Sequence, residues 1–203
     1  MLIEQPPNIF RVLTPDGVFR MPSGEGRDIY LTFDDGPIPE ATPWVLDVLD
    51  RYGVKATFFM VGDNVRKYPA IFEEVKKRGH RVGNHTMHHL QGAGTHTRKY
   101  LRDVEEANRL IESDLFRPPH GWMRPGQGRI LATRYKIIMY DLVTRDYSRR
   151  IDARRVVENV KRYVRPGSII VFHDSLKSRQ KLETALPESI EWLLDQGFRF
   201  RLL

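Results

Sequence analysis

Residues that bind metals or transfer protons recur at short spacing along this sequence. Adjacent carboxylates stand at Asp34 and Asp35, and two histidines four residues apart stand at His85 and His89. Two histidines and one carboxylate around a cation leave coordination positions for water and substrate, which is typical of a catalytic metal site. The pattern therefore predicts a divalent metal held by these residues, with a reaction on a bound substrate.

The adjacent aspartates indicate a division of roles. Two ionised carboxylates would repel each other if both were buried. A cation relieves this repulsion by taking one carboxylate as a ligand, which leaves the other free to act as a base. As ordinary loop residues, Asp34 and Asp35 could instead cap a turn at Gly36 and Pro37. The histidine pair and a further histidine, His173, favour the metal site.

The composition limits the ligands and partners of the chain. It has 203 residues, of which 40% are hydrophobic and 29% charged, as in a soluble single domain. Cysteine is absent, so thiolate catalysis, disulfides and Cys-ligated zinc are excluded. The formal charge is +7, but the basic residues are scattered beside acids. Because no groove-reading motif accompanies them, we expect no nucleic-acid partner.

Cellular location and assembly are only weakly indicated. The first residues, Met1-Leu2-Ile3-Glu4, lack the basic and apolar regions of a secretory signal. The chain is therefore predicted to be cytoplasmic if it is full length and extracytoplasmic if a leader was removed. No apolar run approaches the roughly 20 residues that span a bilayer, so we expect no membrane span. The sequence does not indicate an oligomeric state.

Short apolar runs alternate with longer helical patterns along the chain. The runs predicted as strands are 29–33, 56–61, 81–83, 115–117, 135–140, 168–172 and 198–202. The patterns predicted as helices are 42–52 (with Thr42 as the N-cap), 69–78, 97–113, 126–133, 153–164 and 182–196. This alternation predicts a parallel sheet with outer helices, either an open doubly wound sheet or a closed barrel. Residues 1–28 are predicted to be an N-terminal extension or small hairpin before a single domain at 29–203.

The candidate residues fall where the chemistry of parallel α/β folds gathers, at the C-terminal ends of strands. Five of the seven predicted strands end in such residues: Asp34–Asp35, 84–89, 117–121, Asp141 with Asp146–Tyr147, and His173–Asp174. A merely solvated rim would be richer in lysine and glutamate. A helical turn after the third strand would project His85 and His89 from one face toward a shared cation.

Five motifs in this order resemble the polysaccharide deacetylase family, also called the NodB-homology or carbohydrate esterase family 4 domain. The motifs are Thr32-Phe33-Asp34-Asp35-Gly36-Pro37, His85-Thr86-Met87-His88-His89, Arg117-Pro118-Pro119-His120-Gly121, Asp146-Tyr147 and Val171-Phe172-His173. The resemblance covers roughly residues 29–203 and implies a single-domain, distorted (β/α)7-type barrel with parallel strands and outer helices. It also implies removal of N-acetyl groups from N-acetylglucosamine-containing glycans such as peptidoglycan or chitin oligomers.

The resemblance assigns the metal and the two proton-transfer roles. Asp35, His85 and His89 would bind the metal, which would be Zn²⁺, with Co²⁺, Ni²⁺ and Fe²⁺ as alternatives for such ligands. Asp34 would be the catalytic base that takes a proton from the attacking water. His173 would be the catalytic acid that protonates the leaving amine.

The remaining matched residues would support that chemistry. Arg117 would hold the base, and Asp146 would orient and tune the acid. His120 and Gly121 would contact the oxyanion and the substrate, and Tyr147 would form a substrate wall. His120 replaces the tyrosine, and Tyr147 the tryptophan, that the family usually has at these positions. Both departures leave the sugar preference open.

Other functions stay open at this point. Two histidines and one aspartate also describe the facial triad of non-haem iron oxygenases, although a second aspartate and His173 fit hydrolysis better. A non-catalytic carbohydrate-binding relative would have lost a catalytic group, and none is missing. A non-sugar amide could also be hydrolysed at the same site.

Overall fold

The strands of the protein form one parallel sheet. The computed structural model describes residues 4–22 and 26–203. Within them the strands are β1 (Gly17–Val18), β2 (Asp28–Asp34), β3 (Thr57–Met60), β4 (Arg81–Asn84), β5 (Leu115–Phe116), β6 (Lys136–Ile138), β7 (Leu142–Val143), β8 (Ile169–His173) and β9 (Arg199–Phe200). Their order is β1-β6-β5-β4-β3-β2-β8-β7, and β9 pairs with β2. All seven predicted strands are present, with β1 and β7 in addition.

The chain between β6 and β7 curls this sheet into a distorted barrel. β6 pairs with β5 and β7 pairs with β8, so these strands lie near opposite ends of the sheet order. Only residues 139–141 separate them along the chain. The two ends of the sheet are therefore joined by a short, kinked connection. This confirms the predicted fold class and selects the barrel over the open sheet.

Helices cover the outside of the sheet. They are α1 (Asn8–Leu13), α2 (Thr42–Arg51), α3 (Gly62–Lys67), α4 (Pro69–Lys77), α5 (Thr97–Ile111), α6 (Pro125–Leu131), α7 (Ala153–Tyr163) and α8 (Arg179–Asp195), with a 3₁₀ turn at Pro119–Gly121. The six predicted helices are confirmed. α1 and α3 were not predicted, because six residues are too few to display a helical period. No helix in the described ranges is both long and apolar enough to cross a membrane.

One local prediction is wrong. Ala41, not Thr42, occupies the N-cap position of α2. The buried hydroxyl of Thr42 instead accepts the N–H of Ile38 at 2.8 Å and donates to Asp174 at 2.6 Å. Of the two alternatives predicted for residues 1–28, the described part does not form a hairpin, since β1 pairs in parallel with β6. The boundary predicted at residue 28 stays a prediction.

Packing between the sheet and its outer helices sets the positions of two candidate catalytic residues. Phe33 on β2 stacks on Phe172 of β8 with ring centroids 6.0 Å apart, and both side chains are fully buried. The two strands are in register, so that Phe33 pairs with Phe172 and the next residues, Asp34 and His173, pair in turn. Packing of the aromatic pair therefore fixes the base and acid candidates side by side at the C-terminal rim.

Candidate active site

Nine of the ten predicted site residues line one cavity at the C-terminal ends of the strands. The cavity has a volume of about 270 Å³. Its walls are formed by Asp34, Asp35, His85, His89, Arg117, Pro118, His120, Gly121, Met139, Tyr140, Val143, Tyr147, Val171, His173 and Lys177. The tenth predicted residue, Asp146, is fully buried behind His173. The rule that strand ends carry the chemistry therefore located the site.

Three side chains form a donor set for a metal ion. Ligand atoms of Asp35, His85 and His89 all lie within 4.8 Å of one another. Oδ1 of Asp35 is 3.2 Å from Nε2 of His89 and 3.9 Å from Nε2 of His85. Ligands bound to one metal at about 2.1 Å can be at most about 4.2 Å apart, so the two separations from Asp35 suit a shared cation.

The protonation of this donor set also suits a cation. Nδ1 of His85 lies 2.8 Å from the carbonyl oxygen of Arg117. Because a carbonyl only accepts hydrogen bonds, Nδ1 carries the proton and Nε2 presents its lone pair to the cavity. Burial lowers the pKa of His85 to about 4, so the ring is neutral, which is the form that binds metals.

Asp35 is ionised in the same cluster. Burial acts to raise the pKa of its carboxyl, but a hydrogen bond from His89 and the charge of His173 hold that pKa well below its usual range. The neutral imidazole of His85 and the ionised carboxylate of Asp35 are the forms of these ligands that bind a divalent cation.

Backbone strain, not a helical turn, brings the ligands together. The predicted turn after β4 is wrong, since residues 85–90 have no helical structure. Thr86 and His89 have positive φ angles of 64° and 53°, and Asp35 has a φ of 86°. Non-glycine residues in this region cost on the order of 1 kcal/mol each and cluster at functional sites. The four-residue spacing of His85 and His89 therefore predicted correctly that the two side chains meet, but they meet through positive φ angles and not through a helical turn.

Arg117 holds Asp34. The guanidinium is 2% exposed, and its Nη1 donates to Oδ1 of Asp34 at 2.6 Å and to the hydroxyl of Thr32 at 2.8 Å. Its other nitrogens donate to the carbonyls of Ile138 and Met139. Together these hydrogen bonds fix the guanidinium of Arg117 in one orientation, so the carboxylate of Asp34 is held rigidly at the cavity wall.

His173 is held by Asp146. Oδ1 of Asp146 lies 2.8 Å from Nδ1 of His173, and Oδ2 accepts the backbone N–H of His173 at 2.7 Å. Burial alone would lower the pKa of His173, but the charge and hydrogen bond of Asp146, with the charges of Asp35 and Asp34, raise it to about 9. The imidazole is therefore protonated at neutral pH, as a proton donor must be.

The predicted substrate-contacting residues take different positions around the cavity. His120 has a φ of 61°, and in the described part of the chain its backbone N–H has no protein acceptor. The N–H of Gly121 is taken by the carbonyl of Pro118 at 3.0 Å. Tyr147 is 42% exposed and meets His173 edge-on at 4.8 Å. Of the two adjacent amides, only that of His120 is available to an oxyanion.

Two buried aspartates outside the ten predicted site residues support the site. Asp174 accepts the N–H of Gly36 at 3.1 Å and the hydroxyl of Thr42, and burial raises its pKa to about 8. Asp103 on α5 accepts the N–H groups of Met87 and His88, which lie between His85 and His89, at 2.9 and 3.0 Å. A signal for Asp103 existed, because it interrupts the apolar stripe of its helix.

One residue expected on the rim is elsewhere. Asp141 precedes β7 and therefore lies at the N-terminal end of that strand. Its carboxylate is bound by Arg165 at 2.6 and 2.9 Å and by Ser168 at 2.8 Å. The expectation failed because a further strand that was not predicted, β7, begins directly after Asp141, so that Asp141 lies in the connection between β6 and β7.

The arrangement defines a hydrolase-type site on a parallel α/β barrel. A donor set for a divalent metal lies beside a carboxylate held by arginine and a protonated histidine held by carboxylate. The chain belongs to the polysaccharide deacetylase family, whose sequence profile matches residues 22–140.

Relatives within this family cover nearly the whole chain. A peptidoglycan-N-acetylglucosamine deacetylase of Bacillus cereus is 33% identical over 93% of this chain and 92% of the relative. A chitooligosaccharide deacetylase of Sinorhizobium fredii is 37% identical over 89% of this chain and 93% of the relative. These relatives are hydrolases.

Solved structures show the same fold. The crystal structure of the peptidoglycan N-acetylglucosamine deacetylase Bc1960 superposes with a TM-score of 0.84 at 32% identity, covering 93% of this chain and 91% of that one. A second structure, BA3943 of Bacillus anthracis, has a TM-score of 0.81 at 25% identity over 93% and 67% of the two chains, and is described as a pseudoenzyme of carbohydrate esterase family 4.

Proposed function

We propose that this protein is a metal-dependent hydrolase that removes N-acetyl groups from N-acetylglucosamine-containing glycans. The observation that carries the proposal is the completeness of the site: the donor set Asp35, His85 and His89, the base candidate Asp34 and the acid candidate His173 all line one cavity. The relatives that act on peptidoglycan and on chitooligosaccharides support this substrate class.

A divalent metal, for which we propose zinc, would be held by Asp35, His85 and His89. When bound, such an ion polarises the acetyl carbonyl and lowers the pKa of water. Cobalt, nickel and iron suit the same ligands.

The chain's own residues supply the proton transfers. Asp34, held by Arg117, takes the proton from the water that attacks the acetyl carbonyl carbon. The backbone N–H of His120 donates a hydrogen bond to the oxyanion that forms. His173 then protonates the amide nitrogen as the carbon–nitrogen bond breaks, because an amide anion is too basic to leave unprotonated. The products are acetate and the free amine of the sugar.

A non-catalytic role is the main alternative, since a relative of this fold is described as a pseudoenzyme. In this chain the proton-transfer residues and their supporting partners are all present, at 2.6 Å for Arg117 to Asp34 and 2.8 Å for Asp146 to His173. The same two pairs argue against an iron oxygenase, which needs neither. A non-sugar amide as substrate is a further alternative that only a substrate panel separates.

The test is acetate release from N-acetylglucosamine oligomers and peptidoglycan fragments, with protein reloaded with zinc or cobalt. We expect release that requires metal and stops when chelator is added. Bound metal without acetate from any glycan would contradict the sugar substrate and favour the non-sugar amide or the binding role. Protein that binds no metal would contradict the donor set.

A further inference from the structure

Lys177 stands where the catalytic cavity meets a second groove. The two concavities share three residues, Asp35, His89 and Lys177. The second groove continues away from the ligands along Ile38, Val61 and Leu176. A glycan with one sugar in the catalytic cavity can therefore place a neighbouring sugar in this groove, and its substituents would pass Lys177.

The charge of Lys177 is free to bind a ligand. Its side chain is exposed, and in residues 4–22 and 26–203 it has no carboxylate partner within 4.0 Å. The other cations of the catalytic cavity are engaged: Arg117 binds Asp34, and His173 binds Asp146.

Two acids also line the groove, and both have partners. Asp63 is paired with Arg66 and Lys67 at 2.5 and 2.6 Å. Asp35 lies 3.2 Å from Nε2 of His89 and belongs to the metal donor set. Neither acid therefore cancels the charge of Lys177, and the formal charge of +7 adds a general attraction for anions.

Three of the residues that line the groove with Lys177 are apolar. Leu176 is 65% exposed, and Ile38 and Val61 continue the same surface along the groove. A cation beside apolar side chains matches a carboxylate carried on a sugar or on a short apolar stem, whereas a neutral sugar offers the ammonium group no opposite charge.

We propose that Lys177 binds a carboxylate on the sugar next to the one that is deacetylated. The protein would therefore prefer an acidic N-acetylated glycan over a neutral chitin oligomer. This inference rests on the proposed function and names its substrate class more closely. The carboxylate could come from a lactyl ether, as in peptidoglycan, or from a uronic acid, and the experiment separates these two sources.

The experiment compares three oligosaccharides that all contain N-acetylglucosamine. One is a neutral chitin tetramer, one alternates with a uronic acid, and one is a peptide-free peptidoglycan fragment with lactyl carboxylates. The ratio of kcat/KM for each acidic oligosaccharide to that for the neutral tetramer is measured at low salt for wild type, Lys177→Gln and Lys177→Glu. Lys99→Glu is the matched control, because Lys99 is an exposed lysine on α5 outside both concavities.

Binding gives a second readout that needs no turnover. Calorimetric titration of the Asp34→Asn protein with the same three oligosaccharides, with and without Lys177→Glu in addition, reports Kd directly. We expect the acidic-to-neutral kcat/KM ratio to fall about 3-fold in Lys177→Gln and about 10-fold in Lys177→Glu, as expected for an exposed charge pair and its reversal. The Kd for the preferred acidic ligand should rise by similar factors, and Lys99→Glu should change neither.

The outcomes separate this inference from the function on which it rests. A preference for only one acidic oligosaccharide identifies the source of the carboxylate. Acetate release with an acidic-to-neutral ratio that is the same in wild type and Lys177→Glu overturns the role of Lys177 and leaves the deacetylase proposal standing. If no oligosaccharide releases acetate but an acidic one binds in a way that depends on Lys177, the result contradicts the deacetylase proposal and supports the binding of a carboxylate by Lys177.

Discussion

Asp146 contacts His173 through both of its carboxylate oxygens, one on the ring Nδ1 and one on the backbone N–H. The carbonyl of Asp146 is in turn bound by Nζ of Lys181 from α8 at 2.6 Å. The imidazole is thus fixed in position and in protonation by a buried residue that does not itself line the cavity. Burial acts to lower the pKa of His173, but Asp146, with the charges of Asp35 and Asp34, raises it to about 9, so the pH dependence of activity should depend on Asp146.

Asp146→Asn should move the alkaline limb of the pH–kcat profile to lower pH. Because of the raised pKa, His173 stays in its acid form below about pH 9 and is deprotonated above that pH. For the same reason the pair contributes stability that is fully present below the unfolded pKa of 6.5 and lost as pH rises through about 9. Without the carboxylate, burial lowers the pKa, and kcat at pH 8 should fall roughly 100-fold.

The control for that measurement is Asp195→Asn, an exposed acid at the end of α8. It should leave the profile unchanged. An alkaline limb that stays in place in Asp146→Asn would show that His173 is not the group whose deprotonation ends activity.

His85→Ala should lose bound metal and activity together. Nε2 of His85 belongs to the three-atom donor set, and removing one of three ligands leaves too few to hold the ion. Metal content is measured by elemental analysis after dialysis against a metal buffer. His96→Ala is the control, because His96 is exposed and outside the cavity. A His85→Ala protein with one metal per chain would refute the ligand assignment.

Gly36→Ala should destabilise the protein and impair activity. A Cβ at Gly36 would lie 2.0 Å from Oδ2 of Asp174, and Asp174 must then release its contacts to Gly36 and Thr42. We expect a loss of about 1–3 kcal/mol in the free energy of unfolding, as for overpacked interiors, measured by denaturant titration.

Gly126→Ala is the matched glycine control. Gly126 lies within α6, and a Cβ there would meet no atom within 4 Å. This change should be neutral or stabilise by up to about 1 kcal/mol, because alanine is the better helix former. Equal stability of Gly36→Ala and wild type would contradict the supporting role of Asp174.

The sequence allowed the fold class and the membership of the cavity to be predicted for clear physical reasons. Strands buried on both faces, such as β3, read as continuous apolar runs. In parallel sheets the polar residues that follow them share one rim. Asp34, His85 and His173 were located in this way.

What escaped prediction depends on tertiary contacts between distant segments. The bond between Thr42 and Asp174 spans 132 positions, and the hydroxyl that looked like a helix cap is used for it. The convergence of His85 and His89 depends on positive φ angles at Thr86 and His89, and a positive φ at a threonine is not signalled by the residue type. The groove at Lys177 likewise arises only when α3 and the segment after β8 are brought together.

The most direct test of the account compares Asp34→Asn with wild type for acetate release and bound metal in the same preparations. Asp34 is held by Arg117 at 2.6 Å and does not belong to the donor set, so the variant should keep one metal per chain and lose turnover. This result would separate the base from the metal ligands. Acetate release at the wild-type rate in the metal-loaded variant would contradict the assignment of Asp34 as the base.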